Sequence, residues 1–197
     1  MRIPDIWSIH LSPWVIQDGN YGDFAKGQTA EFAVEFWIPE GSEVTQCEDP
    51  PGAKAVGHEY DAIGRCIQQN AEVTLLDIGI CVYRQESPCT SSAPFESGQV
   101  FRTRISLGVE PFSWFAAELA NGVVQPMVYT WRIESILRQT APLILVGRTL
   151  VRDAERLGYE EIDGTNAWED DGGHAEYVLR CELLPVPAKI TSVTALP

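Results

Sequence analysis

Residues Ala30 to Pro39, AEFAVEFWIP, set Phe32, Val34, Phe36 and Ile38 on one side of an extended chain and Glu31, Ala33, Glu35 and Trp37 on the other. A period of two is the signature of a half-buried strand, and Pro39 ends it because proline offers no ladder donor. The run from Ile6 to Ile16 is extended in character as well, with Pro13 confining it to an edge or a bulge. Between the two, Asp18 to Gln28 has the Gly and Asx content of a long turn. A Gly- and Pro-rich crossing from Glu40 to Gly57 leads to three further strands: Glu59 to Gln69, Glu72 to Arg84 and Gly98 to Val109. The first two are joined near Asn70, and Ser87 to Ser97 is a Ser/Pro-rich loop. Helical spacing is confined to PFSWFAAELANG, Pro111 to Gly122, and RTLVRDAERLGY, Arg148 to Tyr159. The latter puts Leu150, Ala154 and Leu157 on one face and has Gly158 as its stop. A last strand, AEYVLRCELLPVP, alternates Tyr177, Leu179 and Cys181 with Val178, Arg180 and Glu182 and ends at Pro185.

The stretch IGRCIQQNAEVTLLDIGICVYR, Ile63 to Arg84, carries the most information about architecture. Thr74, Leu76, Ile78, Ile80 and Val82 share one face; Val73, Leu75, Asp77, Gly79, Cys81 and Tyr83 share the other. With both faces largely apolar, this strand belongs in the middle of a sheet covered on two sides. Gly64 and Gly79 fall where a strand coils sharply or meets another backbone, a pattern that suits a barrel. The order Ala62-Ile63-Gly64-Arg65, a tight return, Leu76-Asp77-Ile78-Gly79, a strand through Tyr83-Arg84, and Glu96-Ser97-Gly98-Gln99-Val100 opening a fourth resembles the OB-fold barrel over residues 58 to 108. That resemblance implies a Greek-key barrel with a ligand-gripping outer face, in many members a binder of single-stranded nucleic acid. The fold expected is mainly β, an antiparallel, strongly coiled sheet or OB-like barrel with one or two short helices. A single domain of residues 1–197 accommodates it, with residues 1–57 as a strand extension on a barrel core of 58–197.

Charge narrows the partners. Lys and Arg number 14 against 28 Asp and Glu, giving a formal charge of -14, so most of the surface repels a phosphate backbone. A nucleic-acid reading therefore needs Arg65, Arg84, Arg102 and Arg104 in one groove. Five cysteines, Cys47, Cys66, Cys81, Cys89 and Cys181, without a C-x-x-C pair argue against both a zinc ribbon and a disulfide framework. The opening MRIPDIWSIHLSPWVIQD is broken by Pro4, Asp5, His10 and Pro13 before a signal-peptide core can form, and no window reaches the apolar length of a membrane span. These features lead to the expectation of a cytoplasmic protein with reduced thiols.

Familiar catalytic patterns are missing. The sequence holds no G-x-S-x-G elbow, H-E-x-x-H, Walker-type lysine loop or G-x-G-x-x-G turn, so no cofactor is expected. The most chemical-looking segment is EEIDGTNAWEDDGGH, where Asp163, Asp170, Asp171 and His174 offer oxygen and nitrogen ligands to a divalent cation. A metal-dependent hydrolase built on that loop is one alternative; a solvated acidic turn between two elements is the simpler account. In PFSWF, the rings of Phe112, Trp114 and Phe115 cannot all point inward from one short turn, which marks a candidate partner-binding surface. Tyr129 and Trp131 in VYTWRIESIL read as a core seam. The leading functional expectation is a non-catalytic intracellular binding protein, an acidic inhibitor or immunity-type partner of a basic protein. The alternatives are the hydrolase and an OB-type nucleic-acid binder.

Overall fold

The computed structural model describes residues 3–70, 72–86, 95–112 and 127–187. Thirteen strands lie among them: β1 Trp7–Leu11, β2 Thr29–Trp37, β3 Thr45–Gln46, β4 Gly52–Val56, β5 Glu59–Gln69, β6 Val73–Asp77, β7 Cys81–Gln85, β8 Val100–Val109, β9 Val128–Gln139, β10 Leu143–Val146, β11 Thr149–Arg152, β12 Tyr159–Ile162 and β13 Tyr177–Pro187. Eight of them, β1, β2, β5 to β9 and β13, close into a barrel. Because β2 and β8 also pair with each other, the ring divides into two circuits of five. One runs β2–β8–β5–β6–β7 and the other β2–β8–β1–β13–β9. The first circuit is built from the strands expected over residues 58 to 108, completed by β2. β1 and β2, from the first 57 residues, are staves of the barrel itself.

The sheet is not purely antiparallel, as the alternation patterns alone suggested. His10 of β1 meets Gly108 of β8 in parallel, and Glu35 of β2 meets Tyr83 of β7 in parallel. Such contacts join strands far apart in sequence, and side-chain period carries no information about partner direction.

One apolar core threads both circuits. Phe32, Val34 and Phe36 of β2 enter it, as do Phe101, Ile105, Leu107 and Val109 of β8, each set spaced by two or a multiple of two. Trp131 stacks on Phe32 at 5.6 Å between centroids and donates its Nε1–H to the Phe32 carbonyl at 3.1 Å. Trp7 sits 5.4 Å from Tyr60 and 6.5 Å from Trp131, so aromatic rings bridge the point where the circuits meet. The core seam expected of Trp131 is present; Tyr129 is partly buried and its hydroxyl accepts the Cys81 N–H at 2.6 Å. A smaller cluster of Ala33, Val73, Leu75, Cys81, Tyr83 and Met127 covers the other face of β2, β6 and β7. The continuous apolar character read on both faces of residues 73 to 83 is thereby explained.

Several boundaries differ from the sequence reading. Glu72 to Arg84 is not one strand but β6 and β7, folded back at Ile78-Gly79-Ile80. Gly79 takes φ +101, its N–H held by the Asp77 carboxylate at 2.9 Å, a conformation open to glycine that the unbroken alternation concealed. Pro13 does not interrupt a strand: β1 stops at Leu11, and Pro13 opens the five-residue helix α1, Pro13–Gln17, where its fixed φ and missing N–H cost nothing. The helix expected over Arg148 to Tyr159 is replaced by β11, a 3-10 turn at Ala154–Arg156 and the start of β12. Gly147 at φ +65 in the two-residue loop between β10 and β11 supplies the reason, since a primed hairpin turn outcompetes three apolar residues at helical spacing. The other expected helix, after Pro111, lies outside the described residues, as does Cys89. Cys47, Cys66, Cys81 and Cys181 are free thiols. Among the described residues no helix is long and apolar enough to cross a membrane.

Candidate functional site

On the outer wall, Arg102, Arg104, Ser106 and Gly108 alternate with the core residues of β8, and Glu59 and Asp61 do the same along β5. The loop after β2 folds back across them. Pro39, Glu40, Ser42 and Glu43 from that loop face Glu59, Asp61 and Arg104 around an open depression of about 500 Å3. Four carboxylates therefore surround one guanidinium. Arg104 donates from Nε and Nη2 to Asp61 at 3.2 and 3.1 Å and lies 3.8 Å from Glu59. Glu40 and Glu43 are exposed and have no ion pair or hydrogen-bond partner among the described residues. A second depression of about 460 Å3 shares Glu43, Asp61 and Arg104 and continues to Lys54 and Arg102, the latter bound to Asp49 at 2.9 Å.

An aromatic rim borders the acidic depression. Trp37, 38% exposed, stands two residues before Pro39; its ring lies over Gly108, so close that a Cβ there would fall 2.7 Å from Cζ3. The His10 ring is 5.5 Å from it. His58, in the turn between β4 and β5, packs edge-on against Tyr159 at 4.3 Å. Burial first, and then the neighbouring His58 for His10 and Arg180 for His58, hold both imidazoles below the usual histidine range. These two histidines, 48 positions apart in a sequence that gives no hint of their proximity, are thus kept neutral beside the rim.

The residues singled out as metal ligands are engaged in other ways. Asp170 accepts from Arg138 at 2.9 Å, from the Tyr177 hydroxyl at 2.8 Å and from the Asn166 N–H at 3.2 Å. Asp171, at φ +49, accepts from Arg152 at 2.8 Å, while His174 is exposed and offers Arg152 its backbone carbonyl at 2.6 Å. Asp163 is exposed, its carbonyl accepting the Lys26 N–H at 2.8 Å. Among the described residues no three His, Cys, Asp or Glu side chains gather as a cation site. The loop is tied to β9, β11 and β13 by arginines and a tyrosine, beside an open depression of about 430 Å3 that Arg138 and Arg152 line.

Of the aromatic trio, Trp114 and Phe115 lie outside the described residues. Phe112 is half-buried with its ring 6.2 Å from Trp14 of α1. The four arginines required for a nucleic-acid groove are divided: Arg102 and Arg104 are ion-paired on the outer wall and Arg65 is exposed on β5, whereas Arg84 holds Glu86 at 2.6 Å with its guanidinium over the core rings of Phe36 and Phe95. Sequence reasoning did not bring Glu40, Glu43, Glu59, Asp61 and Trp37 together as one site. The alternation Glu59, Asp61 on the polar side of a strand was the available signal; nothing local shows that a loop 16 or more residues earlier closes against it.

Comparisons with family models, with curated proteins and with solved structures return no match.

Proposed function

We propose that this chain is a non-catalytic binding protein whose acidic depression, framed by Glu40, Glu43, Glu59 and Asp61, docks a cationic segment of a basic partner, in the manner of an acidic inhibitor or immunity-type protein. The observation that carries the reading is the distribution of charge. Lys26, Arg84, Arg102, Arg104, Arg132, Arg138, Arg152 and Arg156 are each ion-paired within the chain, so most of the surplus carboxylates behind the formal charge of -14 are left to face outward. In the depression Glu40 and Glu43 make no ion pair among the described residues. Electrostatic steering of this kind raises association rates by roughly 10- to 1,000-fold at low salt, and Trp37 supplies the aromatic contact that cationic side chains favour. Each exposed ion pair adds only about 0.2–1 kcal/mol, so recognition depends on several acting together. A cytoplasmic setting, where thiols stay reduced, belongs to the same proposal.

Calorimetric titration with an arginine-rich peptide tests it, comparing two triple variants of equal charge. Glu40→Gln/Glu43→Gln/Glu59→Gln removes three of the depression's four carboxylates; Glu31→Gln/Glu72→Gln/Glu155→Gln removes exposed acids elsewhere. The first is expected to weaken binding about tenfold more than the second, the sum of several such pairs. Equal losses would reduce the interaction to net charge and end the proposal.

A further inference from the structure

Glu110 is wholly buried, at 0% exposure, directly after β8. Its Oε1 accepts the Phe112 N–H at 2.7 Å, but its Oε2 has no partner. Gly108, two residues earlier on the same face, is opposite Glu35 of β2, whose Oε1 would be 3.3 Å from a Cβ at that glycine. Glu35 in turn is opposite Tyr83 of β7. Two carboxyl groups thus flank one glycine on the outer wall, against a tyrosine and under the loop that carries Tyr21, whose hydroxyl is also buried without a partner. No arginine, lysine or histidine makes an ion pair with either carboxyl among the described residues. A buried carboxylate without a counter-charge is among the costliest groups a fold can hold, and like charges side by side add to the cost.

We propose that Glu110, wholly buried, and Glu35, partly buried, form a carboxyl pair that holds a proton in the folded state, and that ionisation of both loosens the stretch Glu110–Phe112 that follows β8. The ligand is the proton, held by one carboxyl of the pair at a time. The proposal is independent of the partner-binding reading, since it concerns the opposite end of the β2–β8 ladder from the acidic depression. Burial, the first cause in each case, lifts both carboxyls to about 7; hydrogen bonds from Phe112 and Tyr83 restrain Glu110, and Glu35 pushes it further up. The groups facing the pair are Tyr83 from β7 and Tyr21 from the long turn. Burial and then Glu110 raise both phenols, so they stay neutral and cannot neutralise a second carboxylate. His10 of β1 is the other neighbour of Gly108, and its ring lies 5.5 Å from that of Trp37. The stretch that loosens is held by the Glu110 N–H on the Ala33 carbonyl at 3.1 Å, by the Phe112 N–H on the Glu110 carboxylate itself, by Asn20 on the Pro111 carbonyl at 2.9 Å and by the contact of Phe112 with Trp14.

The sign follows from proton linkage. Carboxyls raised in the folded state stabilise it fully below about pH 4.5, and that contribution is lost as pH rises through about 7. His10 and His58, depressed by burial, act in the opposite sense, their contribution appearing as pH rises toward 6.5. The readout is therefore the difference between wild type and variant. Urea unfolding of wild type, Glu110→Gln and Glu35→Gln is followed from about pH 6 to about pH 8. The wild-type unfolding constant is expected to rise relative to each variant by up to about tenfold per pH unit where one proton separates the states. Carboxyl carbon NMR of the folded wild type supplies a readout that survives a variant failing to fold: one glutamate should titrate near neutrality. Parallel profiles for all three proteins, or every glutamate carbon titrating near its ordinary value, would overturn the proposal. So would stabilisation of wild type by added calcium or magnesium at about pH 8 with loss of the titration, which would make the pair a metal site instead.

Discussion

Tyr60→Phe probes the place where the two circuits of the barrel part. β5 pairs with β8 up to Tyr60, opposite Ile105, while β1 meets β8 three residues further on, at Gly108. On that edge of β8 no ladder spans the interval, β2 lying on the other, and the Tyr60 hydroxyl fills it by accepting the Ser8 N–H, with the Ser8 carbonyl 3.4 Å away. Both residues are buried, and burial raises the phenol above its ordinary range, so it stays protonated. Phenylalanine preserves the ring and its contact with Trp7, leaving no cavity; the whole effect is a buried N–H deprived of its acceptor. That costs about 1–3 kcal/mol, which for a chain of this size lowers Tm by roughly 2–4 °C per kcal/mol. Urea unfolding gives the free energy, with an unchanged m-value showing that the native state stays compact, and hydrogen exchange reads the Ser8 amide directly. The reasoning fails if Tyr60→Phe falls within about 0.5 kcal/mol of wild type and the Ser8 amide stays protected.

Three further expectations concern other parts of the molecule. Trp131→Ala, which removes a fully buried ring stacked on Phe32, should cost about 3–5 kcal/mol, and Trp131→Phe clearly less, by thermal or urea unfolding. With Cys89 replaced by serine, native protein should be alkylated at half-buried Cys47 first. Cys66, Cys181 and Cys81, the last pushed up to about 12 by burial and then Asp77, should react only after denaturant is added, as mass spectrometry would show. Asp170→Asn leaves Arg138 and Tyr177 with a weaker acceptor and should destabilise by about 1–3 kcal/mol, while calcium or magnesium should leave the wild-type Tm unchanged; a metal-induced rise of several degrees would restore a cation to that loop.

The barrel was legible where side chains alternate and opaque where partners are chosen. β2, β5 and β8 follow from their period of two, and β5 has the bounds read from sequence, because one face of each meets a continuous core. The turn at Gly79 was hidden because Ile78 and Ile80 are apolar and buried like the strands on either side. β9 was read only as an aromatic seam; its role as a stave depends on pairing with β2 and β13, contacts that span about 40 to 100 residues. Candidate chemistry fared in a similar way. The acidic loop drew notice because its carboxylates are adjacent in sequence, and in space they are consumed by Arg138 and Arg152. Glu35 and Glu110 looked ordinary, one on the polar side of a strand and one before a proline. Only closure of β2 on β8 places them on either side of Gly108.

Mapping a bound cationic peptide by amide NMR tests the central claim most directly. Titrating an arginine-rich peptide into labelled protein should shift the amides of Glu40 to Glu43, Glu59, Asp61 and Arg104 together with the Trp37 indole, and the shifts should fade as salt shortens the Debye length from about 30 to about 3 Å. Shifts scattered over the acidic surface with none concentrated at that depression, or a bound state that persists unchanged in about 1 M salt, would contradict it.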